Sequence, residues 1–299
     1  MVRDFSSAFG NSGDSAAGRS TIRMATWNIL NLGASTAVDK RAKVISSFDI
    51  IGLQEIESPV GFKKLVKAVE ENTGEDWGSL LSVESGHGGA AEYYGFMWRK
   101  SKVSSLPQPR GTYPEVEGSD FSREPFFASF VAGKFYFTLL NVHITWGSSS
   151  ALRAAEVSRL SEVVQYVESL ETGASDIIVM GDFNVNGPQS PAFSSLVSSG
   201  FSPVIGSPLI CTKGGEDGFK DRENRITKEF STYSTSTRTV GSCLYDNIWA
   251  SEATLLRASG NEGIFTPHKY FFTDKKYPHI HVRKKISDHC PVWADFSVM

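Results

Sequence analysis

Apolar and polar positions along this chain alternate in short runs that read as strands, with helical spacing between some of them. The clearest run is Ile177-Ile-Val-Met180, consecutive apolar residues of the kind found in a strand buried on both faces. It opens at Gly181 into Asp182-Phe-Asn184. Residues two apart on an extended chain point the same way, so Asp182 and Asn184 project together from the carboxyl end of that strand. Residues 21–28 and 49–55 read as two more strands, ending on Asn28 and Glu55. Residues 80–83 and 93–99 read as a pair around the glycines of 86–89, and 126–131 with 134–145 as a hairpin turning at Gly133 and ending near His143. Residues 244–250 and 290–298 close the series.

Helical spacing occupies the gaps. Val38, Ala42, Ile45 and Phe48 form an apolar stripe within 35–48. Leu65, Val66 and Val69 oppose Lys63, Lys64 and Lys67 within 62–69. The longest pattern, 151–170, predicts one helix burying Leu152, Val157, Leu160, Val163, Val164 and Val167, and 191–197 predicts a short one. Residues 211–238 mix glycines with charges and read as a long irregular loop, a kind of segment that is often functional. Strands come in runs, with no linker or tandem repeat after Ser20. That order predicts an α+β sandwich rather than a doubly wound sheet. Residues 21–299 are expected to form a single domain, and 1–20, small and polar without the apolar core of a signal peptide, a flexible tail.

Composition narrows the picture. At 299 residues, 40% of them hydrophobic, the chain can bury a large core, and no stretch has the apolar length of a membrane helix. A net charge of −3 excludes a polycation, so any nucleic-acid partner must be held by local basic patches or bound metal. The cysteines Cys211, Cys243 and Cys290 match no zinc spacing and are too few for a disulfide scaffold.

The candidate chemistry lies at the strand ends: Asn28, Glu55, His143, Asp182 with Asn184, Asp246, and Asp288 with His289. Strands usually close on Gly, Pro, Ser or Asn. A recurrence of carboxylates and imidazoles at such ends is the signature of a metal-and-base site rather than of turns. Carboxylate and carboxamide oxygens suit a hard divalent cation and the phosphate oxygens it neutralises.

Thr26-Trp-Asn-Ile-Leu-Asn31, Leu53-Gln-Glu55, Asn141-Val-His143, Gly181-Asp-Phe-Asn184, Tyr245-Asp246 and Ser287-Asp-His289 stand in the order found in the endonuclease/exonuclease/phosphatase superfamily, which the chain resembles over nearly its whole length after Ser20. Phe121-Ser-Arg-Glu-Pro125, Glu92-Tyr-Tyr-Gly-Phe96 and Cys243-Leu-Tyr-Asp-Asn-Ile248 resemble its deoxyribonuclease I branch. The resemblance implies a four-layer α/β/β/α sandwich, two mixed sheets flanked by helices. It also implies a phosphodiesterase that uses Mg²⁺, with Mn²⁺ able to substitute and a Ca²⁺ requirement left open. Glu55 would be the leading metal ligand, with Asn28 and Asp288 beside it. His289 with Asp246 would be the base dyad and His143, steadied by Glu92, the general acid, although the sequence leaves the two roles exchangeable. Asp182 and Asn184 would hold the phosphate or a second cation, and Arg123 would grip a phosphate through its planar fork.

Some positions depart from that branch. Where its vertebrate members place an arginine and a tyrosine in the minor groove, this chain has Glu57 and Ala90, which puts duplex preference in doubt. Trp146 has two readings, a core tryptophan, the more frequent case, and a stacking surface for a base. The resemblance gives Cys243 a disulfide partner, for which Cys211 is the candidate. If bridged, the pair would indicate a secreted or extracytoplasmic protein, and if reduced a cytoplasmic one. The basic and aromatic run 268–285 reads either as a phosphate-contacting border of the site or as an exposed charged hairpin. The substrate expected from these residues is DNA, with RNA open, acted on by a monomer. Rival readings are a phosphomonoesterase, a phosphoinositide phosphatase or a sphingomyelinase on the same scaffold, and a non-catalytic binding module.

Overall fold

The computed structural model describes residues 21–86, 91–114, 121–147, 149–170, 176–205 and 230–299. In chain order the elements are β1 (Thr21–Leu32), α1 (Asp39–Ile45), β2 (Ile50–Ile56), α2 (Pro59–Thr73), β3 (Trp77–Leu81), β4 (Tyr93–Arg99), β5 (Ser104–Thr112), β6 (Phe126–Ala132) and β7 (Phe135–His143). There follow α3 (Ser150–Ser158), α4 (Leu160–Ser169), β8 (Asp176–Asp182), α5 (Ser194–Ser198), β9 (Phe201–Pro203), β10 (Asp246–Ser251), α6 (Glu252–Leu255), β11 (Ala258–Ile264), α7 (Pro278–Lys285) and β12 (Val292–Ser297).

The strands form two six-stranded sheets, ordered β11-β12-β1-β2-β4-β3 and β5-β6-β7-β8-β10-β9. Each contains one parallel pair, β1 with β2 and β7 with β8, and antiparallel neighbours elsewhere. These are the mixed sheets expected. Alternating side chains explain the layering. From β8, Ile178 and Met180 enter the core between the sheets while Ile177 and Val179 face α3, α4 and α5. From β2, Ile50 points between the sheets while Ile51 and Leu53 meet α1 and α2. The result is the four-layer α/β/β/α sandwich. Helix α2 shows how the outer layers are fixed. Ser58 caps its first turn, Pro59 occupies a position where no amide donor is needed, Phe62, Leu65 and Val69 face inward, and Gly74 ends it in the left-handed region.

Several expectations are corrected. The segment 151–170 is two helices that break at Arg159, and Leu152 is 62% exposed. The inward face of α3 carries Arg153 and Glu156 together with the expected Val157, and the Glu156 carboxylate accepts backbone N–H groups from two loops. Residues 268–285 do not form a hairpin. Pro267 and Pro278 each begin a helical turn, and Tyr270, Phe271 and Phe272 pack against the outer core beside α1 and α2. The edge strands β5, β9 and β11, with weak apolar patterns, were not foreseen. The tail 1–20, most of the turn at 86–89, Ala90, Cys211 and most of the loop 211–238 lie outside the described residues. Cys243 is disulfide-bonded, and Cys290 is a buried free thiol.

Candidate active site

The two parallel pairs decide where the chemistry gathers. The parallel register sets Asn28, within β1, opposite Gln54 and so beside Glu55 near the end of β2, and His143 and Asp182 sit opposite each other in the β7–β8 register. The antiparallel neighbours begin at that same end. Asp246, the first residue of β10, pairs with Asp182, and Ser287–His289 precede β12. Gly181 makes this junction possible: at φ 149°, with a Cβ that would lie 1.9 Å from the Val142 carbonyl oxygen, no other residue fits.

These ends surround a cleft of about 470 Å³ lined by Glu55, Arg123, His143, Trp146, Asp182, Asn184, Arg283, Asp288 and His289 together with Tyr245 and the hydroxyl-bearing residues 232–235 and 242. Two imidazole–carboxylate pairs face it. His143 Nδ1 lies 2.7 Å from Glu92 Oε1, and His289 Nδ1 lies 2.8 Å from Asp246 Oδ2. Their Nε2 atoms both stand 3.6 Å from the same oxygen, Oδ2 of Asp182. Asn28 sits behind the cleft and bridges it, its amide donating to Glu55 Oε1 at 2.8 Å and to Asp182 Oδ2 at 3.1 Å while its carbonyl oxygen accepts from Leu30 N–H. Glu55 is held at φ 60°, costly for a residue with a side chain, by Asn31 N–H on its carboxylate and by its own N–H on Glu92. Asn184, at φ 48°, donates its N–H to Asp182 Oδ1 and its amide to the Ile144 carbonyl. Arg123 Nε lies 3.2 Å from Glu92 Oε2, and Arg283 lies 3.4 Å from Asp288. Trp146 is not a core residue. It stands at the cleft edge-to-face with Tyr245.

Charges within this buried ring perturb one another. Burial disfavours either imidazolium, yet Asp246, Asp182 and Asp288 together hold His289 well above the ordinary histidine range, and Glu92 with Asp182 raises His143 against the opposing charge of Arg123. Burial works to raise Glu92, but His143 and then Arg123 outweigh it and leave its carboxyl below the usual range. Burial lifts the Asp246 carboxyl, although its pairing with His289 opposes this.

The donor set fits a divalent cation. Ligand atoms of Asp182, Asp246 and His289 lie within 4.8 Å of one another, the carboxylates of Glu55 and Asp288 line the same cleft, and the buried Oδ1 of Asp246 has no hydrogen-bond partner.

Several supporting residues carried no assigned role in the sequence. The Tyr94 hydroxyl accepts the His143 N–H at 3.1 Å. Ser231 Oγ accepts the N–H groups of Tyr245 and Asp246. Ser287 Oγ donates to the Asn28 carbonyl and accepts from His289 N–H, tying the last loop to β1. Gln54 and Asn141 meet between the sheets at 2.6 Å. Gln54, Asn141 and Ser287 fall within the motifs, one or two residues before Glu55, His143 and His289, and that offset is the signal that could have found them.

Residues 25–289 match the model of the Endonuclease/Exonuclease/phosphatase family. The chain is 29% identical over 283 residues to a deoxyribonuclease of Thioalkalivibrio sp., covering 92% of this chain and 71% of that protein. It is 26% identical over 295 residues to deoxyribonuclease-1 of Rattus norvegicus, covering 91% and 90%. An endonuclease/exonuclease/phosphatase from Bacteroides vulgatus shares the fold with a TM-score of 0.60 at 16% identity, over 94% of this chain and 100% of that one. A match running from β1 to His289 takes in every strand end that meets at the cleft, and the chain belongs to the Endonuclease/Exonuclease/phosphatase family.

Proposed function

We propose that the protein is a divalent-metal-dependent nuclease that hydrolyses phosphodiester bonds within DNA with little sequence preference. The observation that carries this reading is the convergence of two carboxylate-oriented imidazoles on one oxygen of Asp182, each Nε2 at 3.6 Å. Two imidazoles so placed can serve the two proton transfers of the reaction, one from the attacking water and one to the departing oxygen.

His289 is the better base. Asp246 fixes its Nδ1 and, with Asp182 and Asp288 nearby, stabilises the cation it becomes on accepting a proton. His143 is the better acid, because Arg123 shares Glu92 with it and so weakens the hold of that carboxylate on the proton. Arg123 and Asn184 orient the phosphate. Glu55, with Asp288, Asp182 and the unpartnered oxygen of Asp246, would hold the cation, Mg²⁺ or Mn²⁺. Bound there, the cation would offset negative charge on the phosphate. The names of the deoxyribonucleases to which the chain is similar support DNA as substrate.

Supercoiled plasmid incubated with Mg²⁺ or Mn²⁺ is expected to be nicked, and EDTA to stop the reaction. Intact plasmid alongside hydrolysis of a phosphomonoester or a phospholipid headgroup would replace this reading with another activity of the same family.

A further inference from the structure

We propose that Trp146 is a stacking platform for a nucleobase next to the scissile phosphate, and that the protein therefore prefers strands whose bases are unpaired over a closed duplex; this rests on the nuclease reading. Trp146 is 67% exposed, yet it stands in a polar cleft beside Arg123, His143 and Asp182. An indole in water beside a phosphate-binding guanidinium gains nothing for the fold. Its flat face suits a base, and such stacking tolerates any base because each has a π-face.

The loop that carries the indole is held in place by hydrogen bonds of its neighbours, and the indole itself by one aromatic contact. Ile144 donates its N–H to the Asp182 carbonyl at 2.9 Å and accepts the Asn184 amide at 2.8 Å. Thr145 N–H donates to Glu156 Oε2 at 2.9 Å, the Gly147 carbonyl accepts from Arg153, and the Tyr245 ring packs edge-on at 6.2 Å. The other oxygen of Glu156 accepts the Ser122 N–H at 2.9 Å, immediately before Arg123. One buried carboxylate of α3 thus anchors both the loop that carries the guanidinium and the loop that carries the indole. A phosphate gripped by Arg123 would place its neighbouring base at a fixed offset from Trp146.

Two further observations point to an unpaired strand. A second cavity of about 240 Å³ adjoins the cleft, shares Asn184 and Tyr245 with it and is edged by Arg153, Asn186 and Ser190, which leaves room for a base turned away from its strand. Among the described residues, the lysine and arginine side chains that line the cleft are Arg123 and Arg283, and each faces a carboxylate. Both guanidiniums are thus partly neutralised by their carboxylates, and a stacked base would add to the grip on a strand. A duplex keeps its base faces covered, and only an unpaired base can present one to Trp146.

The test uses a labelled single-stranded oligonucleotide, the same sequence closed into a hairpin duplex, and the single strand carrying one abasic residue, each with wild type, Trp146→Ala and Trp146→Phe. The wild type is expected to cleave the single strand in preference to the duplex and to skip bonds flanking the abasic residue. Trp146→Ala should raise KM for the single strand roughly 5- to 100-fold with a smaller loss in kcat, and Trp146→Phe should recover most of it. In Trp146→Ala the abasic residue should cause little further loss, since both changes remove the same contact. Thermal melting of each variant checks the fold, which an exposed side chain should not disturb. Equal cleavage of duplex and single strand by wild type, an unchanged KM in Trp146→Ala, or independent effects of indole and base would overturn the platform while leaving a nuclease. Absence of cleavage on all three substrates, with a small phosphate ester hydrolysed, would remove the nuclease reading itself.

Discussion

His143 and His289 are chemically alike, and their neighbours separate them. His289 faces Asp246, Asp182 and Asp288, whereas His143 shares Glu92 with Arg123. Their substitution is the direct measure of the proposed roles. His143→Ala and His289→Ala should each lower kcat by at least ~10²-fold, the usual worth of a positioned proton donor or acceptor, with circular dichroism unchanged. A variant that keeps near-normal turnover would show that its imidazole moves no proton. Non-additivity is expected in the double variant, because in the proposed mechanism both side chains would serve one displacement.

At the scale of elements, the segment before α7 contributes more to stability than to chemistry. His268 is lodged against Tyr233, whose hydroxyl lies 3.1 Å from its Nδ1 and also accepts its backbone N–H. Burial, then the charges of Lys269 and His279, lower this histidine from 6.5 to about 4. The unfolded chain binds the proton near its ordinary value, so between those pH values it is the unfolded state that gains protons. The stability contributed by the neutral ring is therefore intact above the unfolded value and is lost as the pH falls through this window. The expected loss is on the order of 2–3 kcal/mol. Urea unfolding of wild type and His268→Gln at pH 7 and pH 4 measures it. The variant should lose less stability than wild type on acidification, and equal losses would show that His268 is not the group involved.

Across the whole molecule, the site depends on the alignment of the two sheets. Beneath the cleft Asn141 accepts from Gln54 at 2.6 Å and donates to the Leu53 and Gly95 carbonyls, and Gln54 also donates to Thr26. These buried bonds join β7 of one sheet to β2 and β4 of the other, directly below Glu55 and His143. The sheets approach closely there because Gly52 has no Cβ, which would lie 2.9 Å from Met180 Sδ and 3.3 Å from the Asn141 amide. Asn141→Leu removes both donations to the strand carbonyls and leaves one buried Gln54 N–H without its acceptor, and should cost roughly 2–3 kcal/mol in urea unfolding. Replacing Gln54 by Leu as well should cost less than the two single changes together, because the second removes a group the first left unpaired. Simple addition of the two costs would show that the bridge does not act as a unit.

Local pattern determined much of this protein. The apolar run 177–180 specified a strand buried on both faces, Gly133 marked a hairpin, and polar residues at successive strand ends marked the lining of the proposed site, because side-chain periodicity and turn preference are properties of neighbours in sequence. Where burial is decided by distant partners, the pattern gave no guide. Leu152 faces solvent while Arg153 and Glu156 of the same helix are buried, the run 268–285 wraps the core as helical turns, and Trp146 stands in the cleft rather than in the core. The meeting of His143, His289 and Asn28 at one Asp182 carboxylate is also tertiary, since each comes from a different strand end and only the pairing of parallel and antiparallel strands brings them within reach.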